Sequence, residues 1–265
     1  MSVLSVRIKL LSLVFMLTAG VVSPAFSLTS LTILADNNMG IAVAEIAREY
    51  SRTHQVVVNT SFAPPDDQES EIIEGGSADV LITPRVQWME HLRSKGLLDV
   101  RSQTALAKDQ LVLVGPTEGV FPVKLAHAFP TAELIKRMEG EALFVVGNPQ
   151  TQASGISGKQ ALRNLGVAGD MEPYTLYIKG QDQMVEMVMK QHAYGVFLYS
   201  ATIDREGMKV LDVFPKNSYK TAIYYASVIA GDNMDEARKF IEYLKSPDAK
   251  ELLTKNGFST DMPKD

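Results

Sequence analysis

Apolar runs of strand length alternate with helical patterns along almost the whole chain, and few architectures can absorb that alternation. Leu31-Thr32-Ile33-Leu34-Ala35 runs without a charge into the polar turn Asp36-Asn37-Asn38. Gly40 then opens a helical stripe of Ile41, Ala44, Ile46 and Ala47. An unbroken apolar strand suits burial on both faces of a sheet. The unit recurs. Residues 55–62 read as a second strand, and residues 63–67 as a turn in which Asp66 or Asp67 caps a helix carrying Ile72 and Ile73. Gly75-Gly76-Ser77 ends that helix. Residues 78–83 are a third strand, and residues 86–95 a helix with Trp88, Met89 and Leu92 on its apolar face. This order predicts an α/β fold with helices packed on a largely parallel sheet.

The pattern restarts downstream. Residues 110–116 form a strong strand, 131–139 a short helix, and 142–146 a strand ending at Gly147-Asn148-Pro149. A small polar loop over 150–158, containing Ser154, Gly155, Ser157 and Gly158, leads into a helix with Ala161, Leu162 and Leu165, closed by Gly166. That is the opening arrangement again: strand, polar turn, helix N-terminus. A strand at 174–178, a helix at 181–190 and a strand at 193–198 follow, the last delivering Tyr199 and Ser200 at its C-terminal end. Residues 210–215 are a short strand and turn, and 221–230 a long apolar strand. Helices at 235–244 and 247–255 finish the chain. Two α/β units result: one over 28–112 plus 221–265, the other over 113–220, with the strands around Leu111 and Ala226 as crossing segments. In open α/β sheets ligands bind beyond the C-terminal ends of strands, where helix N-termini favour an anion.

Composition removes several function classes. A net charge of −5 carries no basic footprint for nucleic acid. With no cysteine there is neither a disulfide nor a thiolate metal site, and the four histidines (His54, His91, His127 and His192) lack ligand spacing. No Ser–His–Asp order, catalytic carboxylate pair or phosphate loop is present, so the expectation is a binding protein without cofactor or metal rather than an enzyme. The N-terminus reads as a cleavable export signal. Arg7 and Lys9 precede an apolar run over 10–22, and Ala25 and Ser27 supply small residues for cleavage after Ser27. The absence of cysteine excludes a lipid anchor at the new N-terminus, so the expected location is the periplasm.

Several segments together resemble the periplasmic molybdate-binding proteins of ABC transporters. They are the opening strand 31–35, Ser61-Phe62-Ala63, the stretch from Gly75 to Thr83 followed by Trp88-Met89, Gly147-Asn148-Pro149 with Ser154-Gly155 and Lys159-Gln160-Ala161-Leu162, and Phe214-Pro215-Lys216-Asn217-Ser218-Tyr219-Lys220. The resemblance covers nearly all of the chain after the export signal. It implies a two-lobed, type II periplasmic binding fold, each lobe a mixed sheet flanked by helices, with a cleft between them. It also implies a monomer that holds a small tetrahedral oxyanion, such as molybdate or tungstate, through neutral donors and presents it to an inner-membrane permease. Carried over position by position, the resemblance implies ligand contacts at Asn38, at Pro65 with Asp66 next to it, at Ser154, at Gln183 through its N–H, and at Tyr199. Pro65 departs from the pattern, having neither hydroxyl nor N–H, and Ala226 stands where the family has a proline. Asp36 and Asp66 leave a second reading open, in which the site has diverged toward a cationic group or metal ion. A third is a periplasmic sensor that feeds a signalling partner.

Overall fold

The computed structural model describes residues 29–262, so the expected export signal lies outside the described residues. In chain order the first lobe holds β1 (Ser30–Asp36), α1 (Gly40–His54), β2 (Val57–Ala63), α2 (Pro65–Ile73), β3 (Val80–Thr83), α3 (Val86–Ser94) and β4 (Thr104–Asp109). The second lobe holds β5 (Leu111–Pro116), α4 (Thr131–Glu139), β6 (Phe144–Gly147), α5 (Ala153–Asn164) and α6 (Ala168–Met171). It continues with β7 (Thr175–Ile178), α7 (Gln181–Gln191), β8 (Tyr194–Leu198) and β9 (Met208–Val213). Then β10 (Ala222–Val228), α8 (Met234–Leu244) and α9 (Pro247–Lys255) return to the first lobe.

The two sheets share one plan. Their orders are β2-β1-β3-β10-β4 and β7-β6-β8-β5-β9. In each, the first three strands pair in parallel, while β10 and β5 run antiparallel to both neighbours. Side chains alternate between faces along a strand, so a doubly covered sheet needs apolar residues at every position. In β5, Leu111 and Leu113 join Phe144, Val146 and Val196 under α4 and α5, while Val112 and Val114 join Met184, Val188 and Phe197 under α7. In β1, Leu31 and Ile33 pack with Tyr50 and Phe240 on one face, and Leu34 with Ile72 and Met89 on the other.

Four expectations need correction. The chain crosses between sheets at Gln110 and returns over 214–221; β5 and β10 each belong wholly to one sheet. A lobe boundary after Val112 therefore falls inside β5, whose pairing with β8 and β9 begins at Leu111 and Val112. The edge strand β4 escaped notice because Thr-Ala-Leu-Ala-Lys-Asp is poor in β-branched residues. Helix α5 begins at Ala153, inside the segment read as a loop, because Gly155 and Gly158 let its backbone lie directly on β6 and β8. A Cβ on Gly158 would stand 3.1 Å from Val146 and 3.2 Å from Val196. Finally, Pro64 and Pro65 open α2, so Asp66 and Asp67 sit in its first turn rather than capping it.

Candidate ligand-binding cleft

Four strand ends from the two lobes meet at a cleft of about 500 Å³. The first lobe supplies Asp36, Asn37 and Asn38 after β1, and Pro64 and Pro65 after β2. The second supplies the α5 entry at Thr151, Gln152 and Ala153, and the α7 entry from Lys179 to Asp182. An adjoining cavity of about 590 Å³ shares Asn37, Asn38, Gln181 and Asp182 and extends toward Arg48, Arg205 and Lys255.

Three helices enter the cleft without a side-chain cap: α2 behind Pro64, α5 behind Gln152 and α7 behind Gly180. The first N–H groups of an uncapped helix have no internal acceptor and carry the positive end of its dipole. In α2 and α7 the first turn contains its own acids, Asp66 and Asp67, and Asp182; in α5 it contains none. Gln152 leaves α5 open because its side chain is engaged elsewhere. Its Oε1 accepts the Asn148 N–H at 2.8 Å, and its Nε2 donates to the Lys179 carbonyl at 2.8 Å, tying the exits of β6 and β7 together.

The turn after β1 is different. Asp36 caps it: Oδ1 accepts the N–H of Asn38 at 2.9 Å. Asp36 is 3% exposed, and burial pushes its carboxyl up to about 6 against the opposing pull of the Asn38 N–H, the Asn38 side chain and Arg85. When ionised, a carboxylate about 4 Å from an anion repels it by roughly 4 kcal/mol at an effective dielectric of about 20. Beside it, the hydroxyl of Tyr224 is fully buried next to the Asn38 side chain, without a well-formed hydrogen bond. Arg85 reaches across the cleft mouth, where Nη2 donates to the Gln150 carbonyl at 3.3 Å.

The five expected contact residues separate in the structure. Asn38 lines the cleft, but its N–H is taken by Asp36. Ser154 is the second residue of α5, next to the lining residue Ala153, and Gln183 is the third of α7, next to Asp182; both fall in uncapped first turns. Asp66 is not brought to the cleft. Its Oδ1 accepts Trp88 Nε1–H at 3.1 Å, and the carboxylates that do line the cleft are Asp36 and Asp182. Tyr199 is 37% exposed and outside both cavity linings, with its N–H donating to the Gln110 carbonyl at 2.8 Å. Its neighbour Ser200 lines the larger cavity.

Gln152, Lys179 and Gln181 line the cleft without having been expected there, although Lys179 and Gly180 directly precede a helix that was expected. The role of Asp36 had a local signal: an aspartate at a strand end, two residues before an N–H that starts a helical turn, is a capping arrangement.

Known proteins share this architecture. The family described as bacterial extracellular solute-binding protein matches residues 31–259. The molybdate-binding protein ModA of Escherichia coli K12 is 27% identical over 230 residues, spanning 86% of this chain and 88% of that protein. The periplasmic molybdate-binding protein of Azotobacter vinelandii superposes with a TM-score of 0.70 at 17% identity, over 88% of this chain and 100% of that one. The sulfate-binding protein SubI of Mycobacterium tuberculosis H37Rv superposes at 0.67 and 14% identity, over 89% and 88%. Likeness at that identity speaks for the fold alone, and the fold serves more than one ligand. With the family match across both lobes, the chain belongs to the bacterial extracellular solute-binding proteins and is a ModA-like binding protein of the type II fold.

Proposed function

We propose that this chain is the periplasmic solute-binding component of an ABC importer and that it holds a small tetrahedral oxyanion, molybdate or tungstate being the first choices. The observation that carries the reading is the entry of α5: no side-chain cap, no acid in the first turn, and Ala153 at the cleft wall. Backbone N–H groups of that kind satisfy a dehydrated anion without a full opposing charge. The ModA relationship points to the same ligand class. The lobes close by bending at Gln110 and over 214–221, and the closed form is what a membrane permease would recognise.

Titration calorimetry against molybdate, tungstate and sulfate tests the ligand class, with binding of at least one expected. Absence of heat and of any thermal shift with all three would overturn it. Export is tested separately by sequencing the N-terminus of protein recovered from the periplasm. Cleavage after Ser27 is expected, and an intact Met1 overturns the export signal.

A further inference from the structure

Asp36 is the one acid at the floor of this cleft that is buried rather than rimming it: it is 3% exposed, whereas Asp182 is exposed. It also occupies the N–H that an anion would otherwise use, since Asn38 donates to it. An anion arriving against the ionised carboxylate loses that donor and meets a like charge. An anion arriving with a proton meets an O–H donor, or brings one, while the Asn38 bond to the other oxygen survives. Resting on the oxyanion reading, we propose that capture is proton-coupled: one proton, taken from solvent and shared between Asp36 and the ligand, enters the cleft with each oxyanion. The site thereby favours anions that can carry or accept that proton over permanently bare dianions.

The surroundings fit a proton held at this position. Arg85, on the loop after β3, is the cation whose field reaches Asp36; Lys179 and Asp182 line the cleft opposite, on the α7 entry. The Tyr224 hydroxyl on β10 is buried next to the Asn38 side chain, in the field of both Asp36 and Asp109. No histidine lines the cleft. Burial pushes the carboxyl of Asp36 up to about 6, and an adjacent anion drives it higher. If only the protonated form is competent, the apparent dissociation constant rises about tenfold per pH unit above 7.

The test is calorimetry of molybdate binding to the full chain at pH 6.5, 7.5 and 8.5, in paired buffers of different ionisation heat. The expected results are uptake of about one proton per molybdate at pH 7.5 and affinity roughly fifty- to a hundredfold weaker at pH 8.5 than at 6.5. Asp36→Asn is expected to bind with no proton uptake and a flat pH profile, and Asp109→Asn to retain the uptake. Equal native affinity at pH 6.5 and 8.5 without proton uptake overturns the proposal, as does an uptake that survives Asp36→Asn and vanishes in Asp109→Asn. The native proton count stands even if a variant fails to fold. If neither the native chain nor Asp36→Asn binds molybdate, tungstate or sulfate at any pH, the oxyanion reading itself falls and takes this one with it.

Discussion

Asp109 Oδ2 accepts the Ser200 hydroxyl at 2.6 Å, joining the last residue of β4 to the turn that follows β8 in the other lobe. The Ser200 N–H reaches Oδ1 of the same carboxylate at 3.2 Å. The group sits beside Gln110, where the chain passes between sheets, so it fastens the lobes at the crossover rather than at the cleft mouth. Burial pushes the Asp109 carboxyl up to about 7, opposed by the Ser200 hydroxyl and by the N–H groups of Ser200, Gln110 and Tyr199. A carboxyl raised above its ordinary 3.8 binds its proton more tightly in the folded chain than in the unfolded one. Its contribution to stability is therefore complete below about pH 4 and is lost as pH climbs through 7. The loss is at most about 4 kcal/mol. Asp36 acts with the same sign over a narrower window ending near 6. Glu45, Asp99 and Glu236, all held below their ordinary values, act with the opposite sign at the acid end. Urea unfolding from pH 4 to 7.5 should show Asp109→Asn with a flatter profile than the native chain. Parallel profiles would place the ionisation of Asp109 at its unfolded value and refute the account.

The bond from Arg85 to the Gln150 carbonyl is the counterpart at the mouth. It is long and exposed, and a bond of that kind is worth about 1 kcal/mol or less. For the hinge closure proposed above even that amount matters, because it shifts the open-to-closed ratio about fivefold. Arg85→Ala should raise the radius of gyration of the unliganded chain in small-angle scattering while leaving the anion-bound value unchanged. Identical unliganded radii would show that the bond does not latch the cleft. The same substitution removes the cation whose field reaches Asp36 and so pushes that carboxyl higher still.

How much of this could be read from residues alone follows from the range of the forces involved. The strand–turn–helix over 31–40 was legible because burial on two faces leaves an unbroken apolar run, and turn chemistry is local. Thr104–Asp109 was not legible as a strand, because its identity comes from pairing with β10, far along the chain. The start of α5 was hidden for a related reason. Its glycines argue against a helix by propensity, and only the contact with β6 and β8 makes them necessary. At the cleft, family resemblance located the turns better than the side chains. Asp66 lies on the expected element but answers to Trp88, a partner a sequence pattern does not reveal.

Gly155 gives the sharpest test of how α5 is seated. A Cβ there would overlap the Gly147 carbonyl oxygen and stand 2.5 Å from the Asn148 carbonyl carbon, both of them backbone that no rotamer change can move. Gly155→Ala should therefore destabilise the chain by about 3 kcal/mol and weaken anion binding by displacing the α5 entry. At Gly169, in α6, an added Cβ would meet nothing within 4 Å. Gly169→Ala should be neutral or stabilising by up to about 1 kcal/mol, through helix propensity and a less flexible unfolded chain. Equal thermal midpoints for the two variants would mean that α5 is not pressed against the end of β6.

Trp88 is the single tryptophan of the chain, and its indole N–H is held by Asp66. Its fluorescence therefore reports on the junction of α2 and α3 without interference. Asp66→Ala should shift the emission, because the indole loses its acceptor, yet change anion affinity by no more than about twofold, the scale of an exposed charge acting through solvent. Asp36→Asn should do the reverse: little change in emission and a large change in affinity at pH 8. The pair separates a carboxylate that faces the cleft from one that only occupies a neighbouring helix. A tenfold or greater change in affinity on losing Asp66 would return that residue to the site, and would mean that α2 turns inward when the lobes close.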